Sequence, residues 1–239
     1  MKYAIIAAGE GSRLASEGIS SPKPLVEVGG ERLIDRLLRV FMNNGASEIV
    51  VICNQLTTLV SEHLRDIQEH GLNHQSVPLR FLTKTTPSSM HSLWELSPLL
   101  GNEPFCLTTV DTIFREDEFA QYIAAFEQLM QAGEVDGLMG VTDYIDDEKP
   151  LHVAVDGQMN ITAFLDATST PHYISGGIYA LAPRSLATLR ACIERGESRM
   201  RNFQRALVAD GLRLQAWPFS KVLDIDHASD IAKAEEFLR

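Results

Sequence analysis

The residue types that could do chemistry cluster first near the amino terminus, where Gly9-Glu10-Gly11-Ser12-Arg13 follows a short apolar run and Lys23 stands between Pro22 and Pro24. Glycines there tolerate unusual backbone angles, and a turn at the end of a strand exposes N–H donors. Together with the fixed charges of Arg13 and Lys23, these donors suit phosphate oxygens and read as a nucleoside triphosphate site. The second group is acidic. Asp111 directly follows the apolar run Phe105 to Val110, and Asp224 and Asp226 lie in Lys221-Val222-Leu223-Asp224-Ile225-Asp226. A carboxylate just after a buried strand is placed to hold a cation beside a triphosphate. Strand alternation puts Asp224 and Asp226 on one side, so that Asp111, Asp224 and Asp226 could bind one Mg²⁺ jointly. Asp226 has an alternative use as the cap of the last helix.

Other phosphate loops fit less well. A dinucleotide-binding turn needs a third glycine where Leu14 stands, and an acid ending the second strand where Asn54 stands. No segment has the spacing of the other common phosphate loop, with four residues between glycines and then Lys-Ser or Lys-Thr.

The segment Ala7-Ala8-Gly9-Glu10-Gly11-Ser12-Arg13-Leu14, followed by Pro22-Lys23-Pro24-Leu25, resembles the signature of the sugar-phosphate nucleotidyltransferases, or NDP-sugar pyrophosphorylases, including their phosphocholine cytidylyltransferase-like branch. The likeness continues through Asp111 and the C-terminal Asp-Ile-Asp. It implies a Rossmann-like, glycosyltransferase-A-like α/β fold and transfer of a nucleotidyl group from a triphosphate to a phosphomonoester, with Mg²⁺ as cofactor. Arg13 and Lys23 would be catalytic, and Ala7, Ala8, Gly9, Gly11, Ser12 and Arg13 would hold the nucleotide. The loop 84–92 would reach base and ribose through Ser89 and Ser92, unless these serines merely cap the following helix. Ser175-Gly176-Gly177-Ile178-Tyr179 resembles the family's acceptor strand, where paired glycines admit a ligand against the backbone; the alternative is a bulge. Asp166 and Lys221 complete the expected acceptor set. Two departures stand out: Val110 replaces the usual glycine before the aspartate, and Asp166-Ala167 replaces a glutamate-lysine pair. The Met90-His91-Ser92-Leu93 loop and the Asp-Ile-Asp ending lean toward the cytidylyltransferase branch.

The elements that must position these groups follow from periodicity. Apolar runs at 3–8, 48–53, 79–83 and 105–110 alternate with helical patterns at 31–44, 57–70, 93–100 and 115–131, which implies a mostly parallel sheet flanked by helices. Strand patterns at 137–144, 152–155, 161–166 and 174–181 lack intervening helices and predict a small antiparallel insertion beside that sheet. Helices at 183–195 and 199–209, a strand at 213–219 and a final helix close the chain. We expect one domain over 1–239, with a nucleotide part at about 1–135 plus 220–239 and an acceptor part at about 136–219.

The chain has 239 residues, a formal net charge of −11 and 45% hydrophobic residues. Such acidity argues against nucleic acid while leaving small anions open. No run approaches the ~20 apolar residues of a membrane span, so the expectation is a cytoplasmic protein without a membrane partner. Cys53, Cys106 and Cys192 imply neither a disulfide frame nor a zinc site, and the histidines show no metal-binding spacing. Asp143 to Glu148 reads as a solvated acidic loop. Trp94, Trp217 and Tyr173 could cage a quaternary ammonium or simply pack in the core. An apolar helix face could support a homodimer. The competing functions are a molybdopterin-type guanylyltransferase, an NAD-binding oxidoreductase and a non-catalytic nucleotide sensor.

Overall fold

The first strand shows how the sheet is covered on both faces. In β1 (Lys2–Ala7) Tyr3, Ile5 and Ala7 enter one apolar cluster, and Ala4 and Ile6 enter a second. Period-two alternation therefore feeds two cores on opposite faces, the condition for a sheet sandwiched by helices. The computed structural model describes residues 1–146, 149–169 and 172–239, so Asp147 and Glu148 of the expected acidic loop lie outside the described residues.

From the amino terminus, β1 leads to α1 (Ser12–Ser16), a 3₁₀ turn at Lys23–Leu25, the ribbon β2 (Glu27–Val28) and β3 (Glu31–Arg32), and α2 (Leu33–Asn43). Next come β4 (Glu48–Cys53), α3 (Thr58–His70), β5 (Leu79–Thr83), α4 (Ser89–Leu100), β6 (Phe105–Thr109), β7 (Thr112–Ile113) and α5 (Glu116–Gln131). The second half runs β8 (Gly137–Thr142), β9 (His152–Val155), β10 (Ile161–Leu165), β11 (Tyr173–Leu181), α6 (Ser185–Glu194), α7 (Met200–Ala209), β12 (Leu214–Pro218), β13 (Leu223–Asp224) and α8 (Ala228–Leu238).

Strands β6, β1, β4 and β5 are parallel neighbours in that order. The later strands were expected beside this sheet; they extend it instead. β11 runs antiparallel to β6, with Ile178 opposite Thr108 and Leu181 opposite Phe105, and its other edge carries β8, which pairs in parallel with β12. The nine residues of β11 are long enough to pair also with β9 at Tyr173 and Ile174. The chain turns at Asp156-Gly157 to form the β9–β10 hairpin, the Asp156 carboxylate accepting from the N–H groups of Gln158 and Asn160. Helices α2, α3 and α5 contribute to the Tyr3 core, while α4, α6 and α7 contribute to the Ala4 core. Trp94 packs against the second core and Trp217 against the first, beside Tyr122, while Tyr173 stacks on His172. The three rings are thus not gathered into a cage. All three cysteines are buried free thiols.

Candidate active site

The parallel strands point their C-terminal ends at one edge, where open α/β sheets receive ligands. At the end of β1, Gly11 adopts φ +63°, a left-handed backbone that costs an L side chain about 1–2 kcal/mol. A Cβ there would also stand 3.2 Å from Cβ of Lys23. Glycine is required twice over, once for the turn and once to let the lysine segment approach. Leu14, 1% exposed, anchors α1 to the core. Among the described residues no side chain caps α1, so its first N–H groups remain available at the loop. Asn54, which follows β4, is buried and donates to the Gly9 carbonyl at 3.2 Å, bracing the loop from below. The residue that replaces a ribose-binding acid thus has a structural duty that spacing alone did not reveal.

Lys23 lies at the meeting point. Its side chain is 11% exposed; its ammonium contacts the Asp111 carboxylate and donates to Asp226 Oδ1 at 2.7 Å. Arg13 reaches the other oxygen of Asp226 at 2.9 Å. Burial by itself would push the Lys23 amine down, but the charges of Asp111 and Asp226 outweigh it and hold the amine above its ordinary value. For Asp226, desolvation works upward, yet the hydrogen bond from Lys23 and the charges of Lys23 and Arg13 leave its carboxyl below the usual range. The acidic segment is brought in by β13, which pairs with β7 so that Asp224 faces Thr112 in register, while the Ile225 N–H donates to the Asp111 carbonyl at 3.1 Å.

Asp226 is not the cap of the last helix. That place is taken by His227, which forms a capping box with Asp230. Glu17, just past α1, accepts from the Ala228 N–H at 2.7 Å and lies 2.6 Å from His227 Nδ1, tying the arginine-bearing helix to the start of α8.

The loop 8–14, Lys23, Asp111 and Asp226 line a cleft of about 520 Å³ together with Thr86, Ser88, Ser89 and Ser92. Ala8, Gly9, Gly11 and Ser12 of the expected nucleotide set line it too; Ala7 is buried beneath. Neither expected serine caps α4: Ser88 does so, accepting from the His91 N–H, while Ser92 is buried and hydrogen-bonded to Thr86 at 2.6 Å. Two further clefts adjoin. One of about 560 Å³ is lined by Gly176, Asp224 and Asp226, the other of about 380 Å³ by Gly177, Asp224, Ser88 and Ser89. The glycine pair is both a cleft wall and a bulge, because the β11–β8 register shifts between Ser175 and Ile178. Gly177 adopts φ +73°, and Gly176 lies where a Cβ would meet the Gly140 carbonyl at 3.2 Å.

Other expected residues stand elsewhere. Asp224 opens onto the two neighbouring clefts rather than joining Asp111, and among the described residues no three His, Cys, Asp or Glu side chains are placed together to hold a metal. The two that do converge, Asp111 and Asp226, meet on one nitrogen of Lys23, which stands as a cation between two hard oxygen ligands. That donor set fits Mg²⁺, which usually takes one or two carboxylates plus substrate phosphates. Asp166 lies off the clefts, exposed and paired with both Arg201 and Arg205 at 2.7 Å. Lys221 turns its ammonium onto the Tyr144 ring, 4.1 Å from the centroid. The cleft of about 380 Å³ is also lined by Lys149, Arg199, Arg201 and Gln204, which the sequence reading did not single out; no local motif marks them, because two separate chain segments bring them to the cleft.

This architecture is of the Rossmann-like α/β class, with a glycine loop, two cations and two carboxylates at the strand ends. A profile of the Nucleotidyl transferase family matches residues 2–239, and the chain belongs to that family. It is 30% identical over 77 residues to the glucose-1-phosphate cytidylyltransferase of Salmonella typhimurium, covering 29% of this chain and 30% of that one. It is 31% identical over 127 residues to the N-acetylmuramate alpha-1-phosphate uridylyltransferase of Neisseria meningitidis serogroup B, covering 53% and 52%. The chain thus spans about a third to a half of the length of these curated relatives. Among solved structures, a Bacillus anthracis protein assigned as a glucose-1-phosphate thymidylyltransferase, in complex with a sucrose, superposes with a TM-score of 0.83 at 19% identity, covering 100% of this chain and 95% of that one. The two share a fold. Among the described residues no helix is long and apolar enough to cross a membrane.

Proposed function

We propose that the chain is a nucleotidyltransferase that moves an NMP group from a nucleoside triphosphate to a phosphomonoester acceptor and releases pyrophosphate. The observation that carries this reading is the Lys23 ammonium held between Asp111 and Asp226 in the cleft walled by the glycine loop. Family membership and relatives named for sugar 1-phosphates support it, and the oxidoreductase alternative loses its ground. On this reading the nucleotide part is about residues 1–135 with 220–239, and the acceptor part about residues 136–219.

An acceptor oxygen attacks the α-phosphorus in line, the new P–O bond forms, and the bond to the β-phosphate oxygen breaks. A phosphomonoester has a second pKa of about 6, so its nucleophilic oxygen is ionised at neutral pH and no general base is required. The protein must instead align two anions, cancel their repulsion and take up charge on the leaving group. Arg13 and the N–H groups of the loop hold the leaving pyrophosphate. Lys23 stands between the α-phosphate and the incoming phosphate, while Ser89 and Ser92 lie toward base and ribose. Because Arg13 and Lys23 already engage Asp226, an arriving triphosphate exchanges those contacts rather than meeting bare charges, which limits the desolvation cost. Bound by Asp111 and Asp226, Mg²⁺ would supply charge neutralisation of the phosphate oxygens.

The test is a pyrophosphate-release screen of each nucleoside triphosphate, with Mg²⁺, against sugar 1-phosphates, phosphocholine and related phosphomonoesters. Release that depends on one triphosphate and one acceptor class is expected, and the cytidylyltransferase likeness of the 90–93 loop puts CTP first. Triphosphate binding without release from any acceptor would favour a nucleotide sensor, and release with a pterin phosphate alone would favour the molybdopterin-type enzyme.

A further inference from the structure

The cleft of about 380 Å³ shares Ser88, Ser89 and Thr109 with the nucleotide cleft, so a molecule in it abuts the reacting phosphates. Its charge is unusual for this chain. Among the described residues Arg199 and Arg201 line it with Asp224 as its one carboxylate, although the protein as a whole carries a net charge of −11. We infer that the acceptor bears a second anionic group besides its reacting phosphate, and that Arg199 and Arg201 receive it. The inference rests on the nucleotidyltransferase reading and adds the substrate class.

Three observations support it. Arg199 is exposed at the rim with φ +74°, a conformation that non-glycine residues adopt at a cost and that recurs at ligand clamps. Its N–H donates to Ser88 Oγ at 3.4 Å, which fixes the rim to the nucleotide cleft, and its guanidinium makes no ion pair among the described residues. Arg201 is held in place by Asp166 and by the Lys149 carbonyl, which accepts at 3.1 Å. Asp166, however, is shared with Arg205 through the same oxygen, so one carboxylate answers two guanidiniums and positive charge is left over. Finally, the reacting phosphate of the acceptor is already provided for by Lys23 in the adjoining cleft. Against the hydroxyls of a neutral sugar, the Arg199 guanidinium would lose hydration without a counter-charge, whereas a planar guanidinium matches a carboxylate or phosphate with two parallel hydrogen bonds.

The experiment titrates the full chain calorimetrically with matched phosphomonoesters: glucose 1-phosphate against glucuronic acid 1-phosphate and glucose 1,6-bisphosphate, and N-acetylglucosamine 1-phosphate against N-acetylmuramic acid 1-phosphate. An acidic member should bind at least about tenfold more tightly than its neutral counterpart. Whether the carboxylates or the bisphosphate gain most identifies the group. In Arg199→Ala and Arg201→Gln the ratio should fall toward one. Equal affinity within every pair overturns the inference, as does a loss that is the same for neutral and acidic members, which would assign these cations to the shared phosphate. Pyrophosphate release, followed on the same samples, reports separately: discrimination without release by any triphosphate supports the acidic ligand and contradicts the transferase, whereas release with equal affinities does the reverse.

Discussion

At the scale of single residues, Lys23 is held by two carboxylates that come from distant parts of the chain, and its removal is informative because it leaves them facing each other. Lys23→Ala should cut turnover by about 10²–10³-fold or more while the circular dichroism stays that of the wild type. Asp226, deprived of the hydrogen bond that depresses its pKa, should then titrate higher, a shift visible in the carboxyl NMR resonance. Gly11→Ala acts on the same point from the other side. The φ of +63° and the approach of Lys23 Cβ together predict a loss of about 1–2 kcal/mol in urea unfolding and a raised KM for triphosphate. An unchanged KM would detach the turn from Lys23. The convergence of Arg13, Lys23, Asp111 and Asp226 was legible because motif fixed the residue types and because Asp111 and Asp226 each follow an apolar strand. Asp166 and Lys221 were not. Their side chains go where the neighbours Arg201, Arg205 and Tyr144 draw them, and those neighbours are remote in sequence.

At the scale of elements, the link between α1 and α8 decides whether Arg13 and Asp226 stay opposed. The hydrogen bond that His227 donates to Glu17 holds the histidine above its ordinary pKa, and the same bond holds Glu17 below the usual carboxylate range. A raised histidine contributes stability that is fully present below its unfolded-state pKa and fades as pH rises through the folded value. A depressed carboxylate contributes above its unfolded pKa and fades as pH falls. The pair therefore stabilises between the two ranges, from mildly acidic pH up to the raised histidine value. His227→Asn keeps a capping side chain but removes the titration, so its melting temperature should trail the wild type at pH 6 and approach it at pH 9. A gap that does not change with pH would mean that only the cap matters. Helix boundaries were readable from periodicity, but the capping residues Ser88 and His227 were not, because serines and acids nearby offered equally good local signals.

For the whole molecule, the joint between the parallel strands and the later ones fixes how the nucleotide and acceptor clefts meet. Pairing of β11 with β6 was not legible, since strand partners far apart in sequence leave no local trace. Tyr122 reports on that joint. Its buried hydroxyl donates to the Leu138 carbonyl at 2.6 Å and accepts from the Ala180 N–H at 2.7 Å, so that α5 grips both β8 and β11. Tyr122→Phe strands those two backbone groups and should cost about 1–3 kcal/mol in urea unfolding, with little change in triphosphate affinity. The most direct measurement for the molecule as a whole is single-turnover pyrophosphate release by wild type and Asp111→Asn across a Mg²⁺ titration. The account expects wild-type release to need triphosphate, acceptor and metal together, and the variant to lose the metal response along with nearly all of the rate. A variant that releases pyrophosphate at near wild-type rate with the same Mg²⁺ dependence would contradict it.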